Sequence, residues 1–354
     1  MTDCRRNLPI AGLILAACYA GPEPAVMPEP GQLARIRHLR IEAPASACPG
    51  KAFAATYDGQ LDDGSWLPHR LPPELVRLES PDATPLVTGD WAPDPNPINS
   101  LNSGFQLIAT LRTDTTVADT LVIPPEYGCL ARGFRFEGAP GEPGGRGAVG
   151  PAVSVSIGVV RTRYYQALIV AGIRVLDAPP FYVVADASRV PPSGWISVVS
   201  VGGQGGIGAP GVPGRNGDRG GDGCPGDPGG AGQDGGPGGN GGPGGRGGQV
   251  TIVGPDDWPL FASLVDARSE GGRGGPGGQG GPGGEGGMGG RHPPVTRLSC
   301  ADGPIGPSGR RGSAGHDGPR GAPGPHPQIQ PQPAKEVFGR DAPLALQVLV
   351  SATP

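Results

Sequence analysis

Aromatic residues make up only 5% of this 354-residue chain, and charged residues only 17%. So little aromatic volume argues against one large hydrophobic core. The formal net charge is -4 and no run of five basic residues occurs, which leaves no electrostatic basis for nucleic-acid binding. No Cys-x-x-Cys pair is present, and His38, His69, His292, His316 and His326 are scattered, so neither a structural zinc site nor a cofactor is expected. No serine sits in a G-x-S-x-G elbow, and no Ser/His/Asp or paired-carboxylate arrangement follows from the spacing. No catalytic residue is assigned, and the chain is expected not to be an enzyme. A hydrolase within the β-rich region remains a rival reading, with Asp62 and Asp63 as the acids to mutate.

What the chain does contain is glycine (68) and proline (46), roughly a third of its residues and well beyond the globular share. Its start reads as a targeting segment. Arg5 and Arg6 precede the apolar stretch 8–17 (LPIAGLILAA), too short to span a bilayer but suited to a signal-peptide core. The sequence Leu15-Ala16-Ala17-Cys18 resembles the bacterial lipobox. That resemblance implies cleavage after residue 17, diacylation of Cys18 and attachment to the membrane through lipid, at about 0.8 kcal/mol per buried methylene. Tyr19 in place of aspartate points to the outer membrane or cell surface. Cys48, Cys129, Cys224 and Cys300 then remain, and four exported cysteines favour two disulfides.

Residues 18–31 read as a Pro-rich tether. Residues 32–137 read as a β-sandwich-like domain, with strands expected at 35–43, 51–57, 104–112, 119–123 and 131–137 between turn signals such as DDGS and APDPNP. A Cys48–Cys129 bridge would tie the ends of that domain. Residues 153–201 form a β-rich base whose apolar runs (153–161, 167–176, 181–186, 195–201) suit strands covered on both faces, with a short helix over 164–176 as the alternative. Trp66, Trp91, Trp195 and Trp258 are read as core anchors rather than sugar platforms.

Glycine holds every third position without a slip over 138–152, 202–249, 271–291 and 303–326. A flexible linker has no reason to keep phase. Unbroken phase calls for an extended helix of three residues per turn, with one position per turn too crowded for a side chain. These triplets resemble those of bacterial collagen-like lipoproteins, and the glycine-rich runs are similar to polyglycine-II bundle proteins. Two assemblies fit: three chains wound as a collagen-like stalk, or runs of one chain packed side by side. The residue after the phased glycine is itself glycine in nine of sixteen triplets of 202–249 and in all seven of 271–291. Such triplets suit collagen poorly and close lateral packing well. At ~3.1 Å per residue, 202–249 spans ~150 Å, 271–291 ~65 Å and 303–326 ~75 Å. If 202–249 doubles back near 225–226, four rods of similar length result, and Cys224 meets Cys300 at the tip. Segments 195–201, 249–253, 261–267 and a strand over 344–350 would then lie at the base.

Three motifs carry less. GQGGIG (203–208) matches a dinucleotide loop, but Ala209-Pro210-Gly211 continues the triplets where a helix is needed. Asp218, Asp222, Asp227 and Asp234 are expected to solvate a rod rather than bind calcium. Arg310, Arg311, Arg320 and Asp317 are candidates for inter-rod ion pairs.

The fold expected is therefore all-β domains plus extended glycine-rich rods, with little or no α-helix beyond the signal peptide. The divisions are 1–17, 18–31, 32–137, 138–152, 153–201, 202–326 (the rod module) and 327–354 (a linker and base strand). The function expected is structural or adhesive, in a lipid-anchored envelope protein with an unidentified surface ligand and no nucleic-acid partner. The alternatives are a trimeric collagen-like stalk and an ice- or carbohydrate-binding module.

Overall fold

Apolar residues at every second position set the strands of a first unit, drawn from the described parts of Met1–Ala47, Lys51–Pro93 and Gly104–Pro124. The computed structural model describes residues 25–292 and 300–352. A one-turn helix, α1 (Pro30–Leu33), leads into β1 (Ile36–Glu42), which pairs antiparallel with β2 (Thr56–Leu61). A second sheet places β6 (Phe105–Leu111) between β3 (Val76–Glu79) and β7 (Ala118–Ile123). A small pair, β4 (Ala83–Pro85) and β5 (Trp91–Pro93), completes the unit. In β6 the residues Phe105, Leu107, Ala109 and Leu111 all face one core, which also takes Ile36, Ile41, Tyr57 and Trp91. The core carries one polar chain: Trp91 Nε1 donates to Tyr57 Oη (3.0 Å), which donates to Gly89 O (2.9 Å). Asp119 accepts from the Ile41 amide (2.8 Å), joining β7 to β1.

The second unit takes Cys48–Gly50, Asp94–Ser103 and Pro125–Pro354. One of its sheets is wholly parallel: β8 (Gly133–Glu137), β12 (Ile196–Val201) and β14 (Val265–Glu270), with β12 central. The other has the order β11 (Phe181–Asp186), β10 (Leu168–Val175), β9 (Val153–Val160), β13 (Val250–Pro255), β15 (Gln328–Gln332). It is antiparallel over β11–β10–β9 and parallel over β9–β13–β15. Val155, Ile157, Ile169 and Ile252 of the large sheet share a core with Ile196, Val198 and Val265 of the small one. On the other face, Val160, Leu168, Val170 and Val184 pack with Phe338, Leu346 and Val350. The larger sheet is thus covered on both sides, as the continuous apolar run of β10 requires.

Several expectations are corrected. The segment expected as a base strand at 344–350 is the helix α2 (Leu344–Ala352). Leu346 and Val350, four residues apart, are buried while Leu344 and Val348 are exposed, so the helical period decides a short run that alternation also fitted. The returning base strand is instead β15. Apart from α2 and the one-turn α1 the described residues hold no α-helix, and the fold is mostly β with little helix, as expected. The strand expected at 131–137 belongs to the second unit, pairing with β12, so the first unit ends at Pro124. The segment 51–57 forms its strand later, at β2, and 261–267 begins as a 3-10 turn before β14. Residues 164–176 contain a strand, not a helix.

Between the sheets' strands run the glycine-rich segments, outside any helix or strand. Segment 202–249 doubles back at Cys224-Pro225. The Gly230 amide donates to Asp218 O, Gly239 to Ala209 O and Gly245 to Gly203 O, so numbers fall on one limb as they rise on the other. We denote 202–223 the first limb, 226–247 the second, 271–290 the third and 303–324 the fourth. The first limb donates to the third in parallel, from Gly205 to Arg273 O through Gly220 to Met288 O. The second donates in parallel to the fourth, from Gly229 to Pro304 O through Gly247 to Ala322 O. Antiparallel bonds join third to second (Gly272 to Gly245 O) and fourth to third (Gly303 to Gly290 O). Segment 138–150 is a shorter hairpin turning at Gly144, with φ of +70°, where a side chain would be strained. Its outward arm bonds the first limb (Gly141 to Gln204 O) and its return arm the second (Gly147 to Pro243 O). Two rows result. β8, β12 and β14 feed the hairpin's outward arm, the first limb and the third; the return arm, the second limb and the fourth feed β9, β13 and β15.

The position of doubled glycines follows the neighbours. In the third limb a Cβ on Gly274 would lie 1.7 Å from Gly318 O, and one on Gly275 2.0 Å from Gly206 O, so both positions are filled by backbone. In the first limb Gly203 and Gly206 face the hairpin, where an added Cβ would lie 1.9 Å from Ala139 O and 1.6 Å from Glu142 O respectively. Beyond the hairpin the same position holds Ala209, Val212, Arg215 and Asp218, all exposed. The fourth limb has one glycine per triplet.

Two consequences are measurable. Gly242 faces the hairpin, where a methyl group would lie 1.8 Å from Gly145 O, whereas at Gly236, the same place in its triplet, it would lie 3.3 Å from Val212 N. Gly242→Ala should cost ~1–3 kcal/mol by overpacking, and Gly236→Ala should stay within about 0.5 kcal/mol, by denaturant unfolding. Equal effects would contradict the neighbour rule. In the first unit, Tyr57→Phe should cost ~1–3 kcal/mol because Trp91 Nε1 and Gly89 O lose their partner. Burial pushes the Tyr57 phenol up to about 12. The folded chain thus holds that proton more tightly than the unfolded one. Its contribution is complete below about pH 10 and fades as pH rises towards the folded value. Unfolding midpoints over that range should fall less steeply in Tyr57→Phe.

Candidate functional site

The outward residues of each row expose one position per triplet, and the backbone amide at that position needs an answer because no limb lies beyond it. Proline removes the donor at Pro276 and Pro282 of the third limb and at Pro304, Pro307 and Pro319 of the fourth. At four other positions a neighbouring side chain accepts it. Asn216 Oδ1 takes the Glu285 amide (2.9 Å) and Asp222 Oδ1 that of Arg291 (2.8 Å). On the other row, Asp234 Oδ1 takes the Arg310 amide (2.6 Å) and Asn240 Oδ1 that of His316 (2.9 Å). Asp222 and Asp234 therefore do more than solvate a limb, and Asp218 and Asp227 stand on other sides of the turn of chain. The signal was available in the sequence as Asn/Asp at the third triplet position, but its partner depends on register between limbs.

The charged residues of the fourth limb cap backbone rather than pair with one another. Arg311 Nε donates to Gly280 O (3.1 Å), Arg320 Nε to Gly271 O (3.2 Å), and Asp317 Oδ1 accepts from the Gly277 amide (2.9 Å). The expectation of inter-rod ion pairs is corrected to that extent. Arg320 does approach Glu270 at 3.7 Å, the one ion pair among those four residues.

Cys224 is bonded to Cys300, and Cys48 to Cys129. The first bridge joins the turn between the first and second limbs to the start of the fourth. Beside it the His292 ring nitrogen Nδ1 lies 2.7 Å from Asp302 Oδ1, which also accepts the His292 amide (2.9 Å). These bonds, the backbone one foremost, hold the Asp302 carboxyl below its ordinary range. Both cysteines of the Cys48–Cys129 bridge belong to the second unit, so it does not tie the ends of the first. Cys18 lies outside the described residues, as do residues 1–17, the segment read as a signal peptide.

Other candidates are placed without forming a reactive group. Arg35 bonds both Asp62 (2.9 Å) and Asp63 (2.7 Å). Asp63 is lowered to about 2, first by the Ser65 hydroxyl, so neither acid is poised to donate a proton. In 203–208 the amides of Gly203, Gly205, Gly206 and Gly208 are spent on Ala148 O, Arg273 O, Gly145 O and Pro276 O, so these four glycines form no phosphate cradle. Trp91 and Trp195 are buried and Trp258 is half-buried beside the second core. Trp66 is not a core anchor: it is 41% exposed, and the Arg40 guanidinium stacks 4.3 Å from its ring centroid. It follows the tight turn 62–65 and bridges back to Gln60 at the edge of the β1–β2 pair. No protein-family model matches the chain, and neither the curated proteins nor the solved structures contain a match to it.

The Cys224–Cys300 bridge closes a segment with a separation of 76 residues. Replacing both cysteines by serine should lower stability by ~2–4 kcal/mol. The loss should appear in thermal unfolding, with the limb-to-limb amide protection near the base retained.

Proposed function

We propose that this chain is a non-enzymatic structural or adhesive protein of the cell envelope, built on a glycine-rich module that packs against itself. In this reading each limb is an extended threefold helix of the polyglycine-II kind. The observation that carries it is the donation of one glycine amide per triplet to a carbonyl of another limb of the same chain, in constant register along each limb. An extended threefold helix has no internal hydrogen bonds, so it must find such partners. Here one chain supplies such partners along every limb, which removes the need for three chains wound together.

The setting follows from chemistry rather than from relatives. Two disulfides fit an oxidising compartment outside the cytosol. Among the described residues no helix is long and apolar enough to cross a membrane. Attachment would then fall to lipid on Cys18, with the proline-rich stretch after it as a tether. An array of limbs whose outward faces are hydrated and mixed, such as Gln204, Ile207, Pro210 and Asn216, suits spacing and display. The mixture lacks the uniform repeat that matching an ice lattice requires.

The test is the mass of the full chain in detergent by light scattering, with hydrogen exchange on the same sample. A monomer whose amides at Gly275, Gly278, Gly281 and Gly284 exchange slowly is expected. A trimer with a collagen-type circular dichroism melt, or fast exchange at those glycines, would overturn the reading.

A further inference from the structure

Where the parallel sheet of the second unit passes into the first row of limbs, the surface opens into a cleft of about 540 Å³. Its polar side chains are Arg135, Glu137, Gln204, Glu270, Arg273 and Arg320, with the buried Val201 beside a floor of Gly202, Gly271 and Gly272. The glycine floor follows from the fold, since the limbs pack too closely there for any side chain. Cleft walls must then come from strand ends and outward triplet positions, and nearly all of these are polar.

The charges are incompletely matched. Arg135 Nε is 2.7 Å from Glu137, a direct bond. Glu270, half-buried, lies between Arg135 and Arg320 at 3.7 Å from each, beyond hydrogen-bond reach. Arg320 spends its Nε on Gly271 O, leaving its terminal nitrogens facing that gap. Among the described residues the side chains of Arg273 and Gln204 have no hydrogen-bond partner. Three guanidinium groups thus face two carboxylates, a local excess of one positive charge.

We propose that this cleft binds an acidic saccharide through the carboxylate of a uronic acid residue. The planar guanidinium of Arg273, with the terminal nitrogens of Arg320 that only loosely pair with Glu270, suits a carboxylate in geometry and charge. Ring hydroxyls donate to Glu137 and Glu270 and accept from Gln204. This combination of fixed acceptors and donors distinguishes a sugar acid from a bare anion. The cleft's apolar lining is limited to the buried Val201, which disfavours aromatic or fatty ligands. The inference deepens the adhesive reading and rests on it for the existence of an external ligand, but the cleft is tested separately.

The probe is tetragalacturonic acid, titrated calorimetrically into the full chain in detergent at low salt and again at 0.5 M sodium chloride. Saturable binding that weakens with salt is expected, with neutral maltotetraose giving no heat. Arg273→Ala should weaken binding about tenfold, the loss of one charge-assisted hydrogen bond, and Arg273→Lys should recover part of it. Arg273 is exposed and bonded to nothing through its side chain, so the alanine variant should keep the wild-type melting temperature. No binding of the probe at millimolar concentration, equal binding of maltotetraose, undiminished binding by Arg273→Ala, or equal affinity for a tetraglutamate peptide would each overturn the proposal. If the same sample remains a monomer with protected limb amides, such a failure falls on the cleft alone and leaves the structural reading intact.

Discussion

An extended chain cannot satisfy its own amides, and the rest of the second unit depends on how this one solves that problem. Every third residue of a limb donates across to a neighbouring limb, and the neighbours come close enough that a methyl group on Gly275 would lie 2.0 Å from Gly206 O. Glycine is required there by contact, not by flexibility. Its flexibility works against order, at roughly 0.5–1 kcal/mol relative to alanine. Each interlimb bond returns about that much, ~0.5–1.5 kcal/mol net, so the array is stable only when many bonds form together. Glycine is therefore spent where neighbours demand it. The third limb, flanked on three sides, is doubled throughout, and the fourth, at the margin, keeps one glycine per triplet.

The sheets convert that marginal cooperation into a fixed register. β8, β12 and β14 lie parallel, and each passes directly into an outward arm or limb; each return arm or limb passes directly into β9, β13 or β15. The ladder bond from Gly202 to Glu270 O continues as Gly205 to Arg273 O without a break in spacing. Three strand–limb–limb–strand hairpins thus stand side by side. Parallel strands ordinarily need a helical crossover to return the chain to its starting end. Here the second limb of each hairpin does that work. The apolar cores between and beneath the sheets hold the six strands in place, and the limbs inherit their alignment.

Much of this was legible in residue types. Triplet phase defines the limbs, and the return of 202–249 follows from its length beside 271–291 and 303–326. The cysteine at its midpoint, opposite Cys300, marks the turn. Doubled glycine marks the third limb, which is flanked on three sides. What could not be read depends on partners distant in sequence. The hairpin 138–150 is only a short triplet run until β8 is seen to pair with β12. LALQVLV at 344–350 has apolar residues that fit either period, and only the sheet beneath Leu346 and Val350 selects the helix. Trp66 looks like any tryptophan until its position at a strand-pair edge leaves it to Arg40. Asn216, Asp222, Asp234 and Asn240 look like solvent residues until the limb register places an amide beside each.

The same reasoning explains why the array ends. A row of extended chains presents backbone at its margins, the same liability that exposes the edge strand of a sheet to further pairing. At the base of the first limb, Gly203 and Gly206 admit the hairpin. Three residues further on, Ala209, Val212, Arg215 and Asp218 occupy that position and project where another limb would have to lie. At the opposite margin, Ser308, Arg311, Asp317 and Arg320 reach from the fourth limb and bond amides or carbonyls of the third. Along the faces, proline deletes donors and Asn or Asp accepts them. One residue per triplet is thus enough to decide whether a limb extends the array or closes it. In the first limb, glycine at the second position admits the hairpin at 203 and 206, and the side chains of Ala209, Val212, Arg215 and Asp218 refuse a further neighbour on that side.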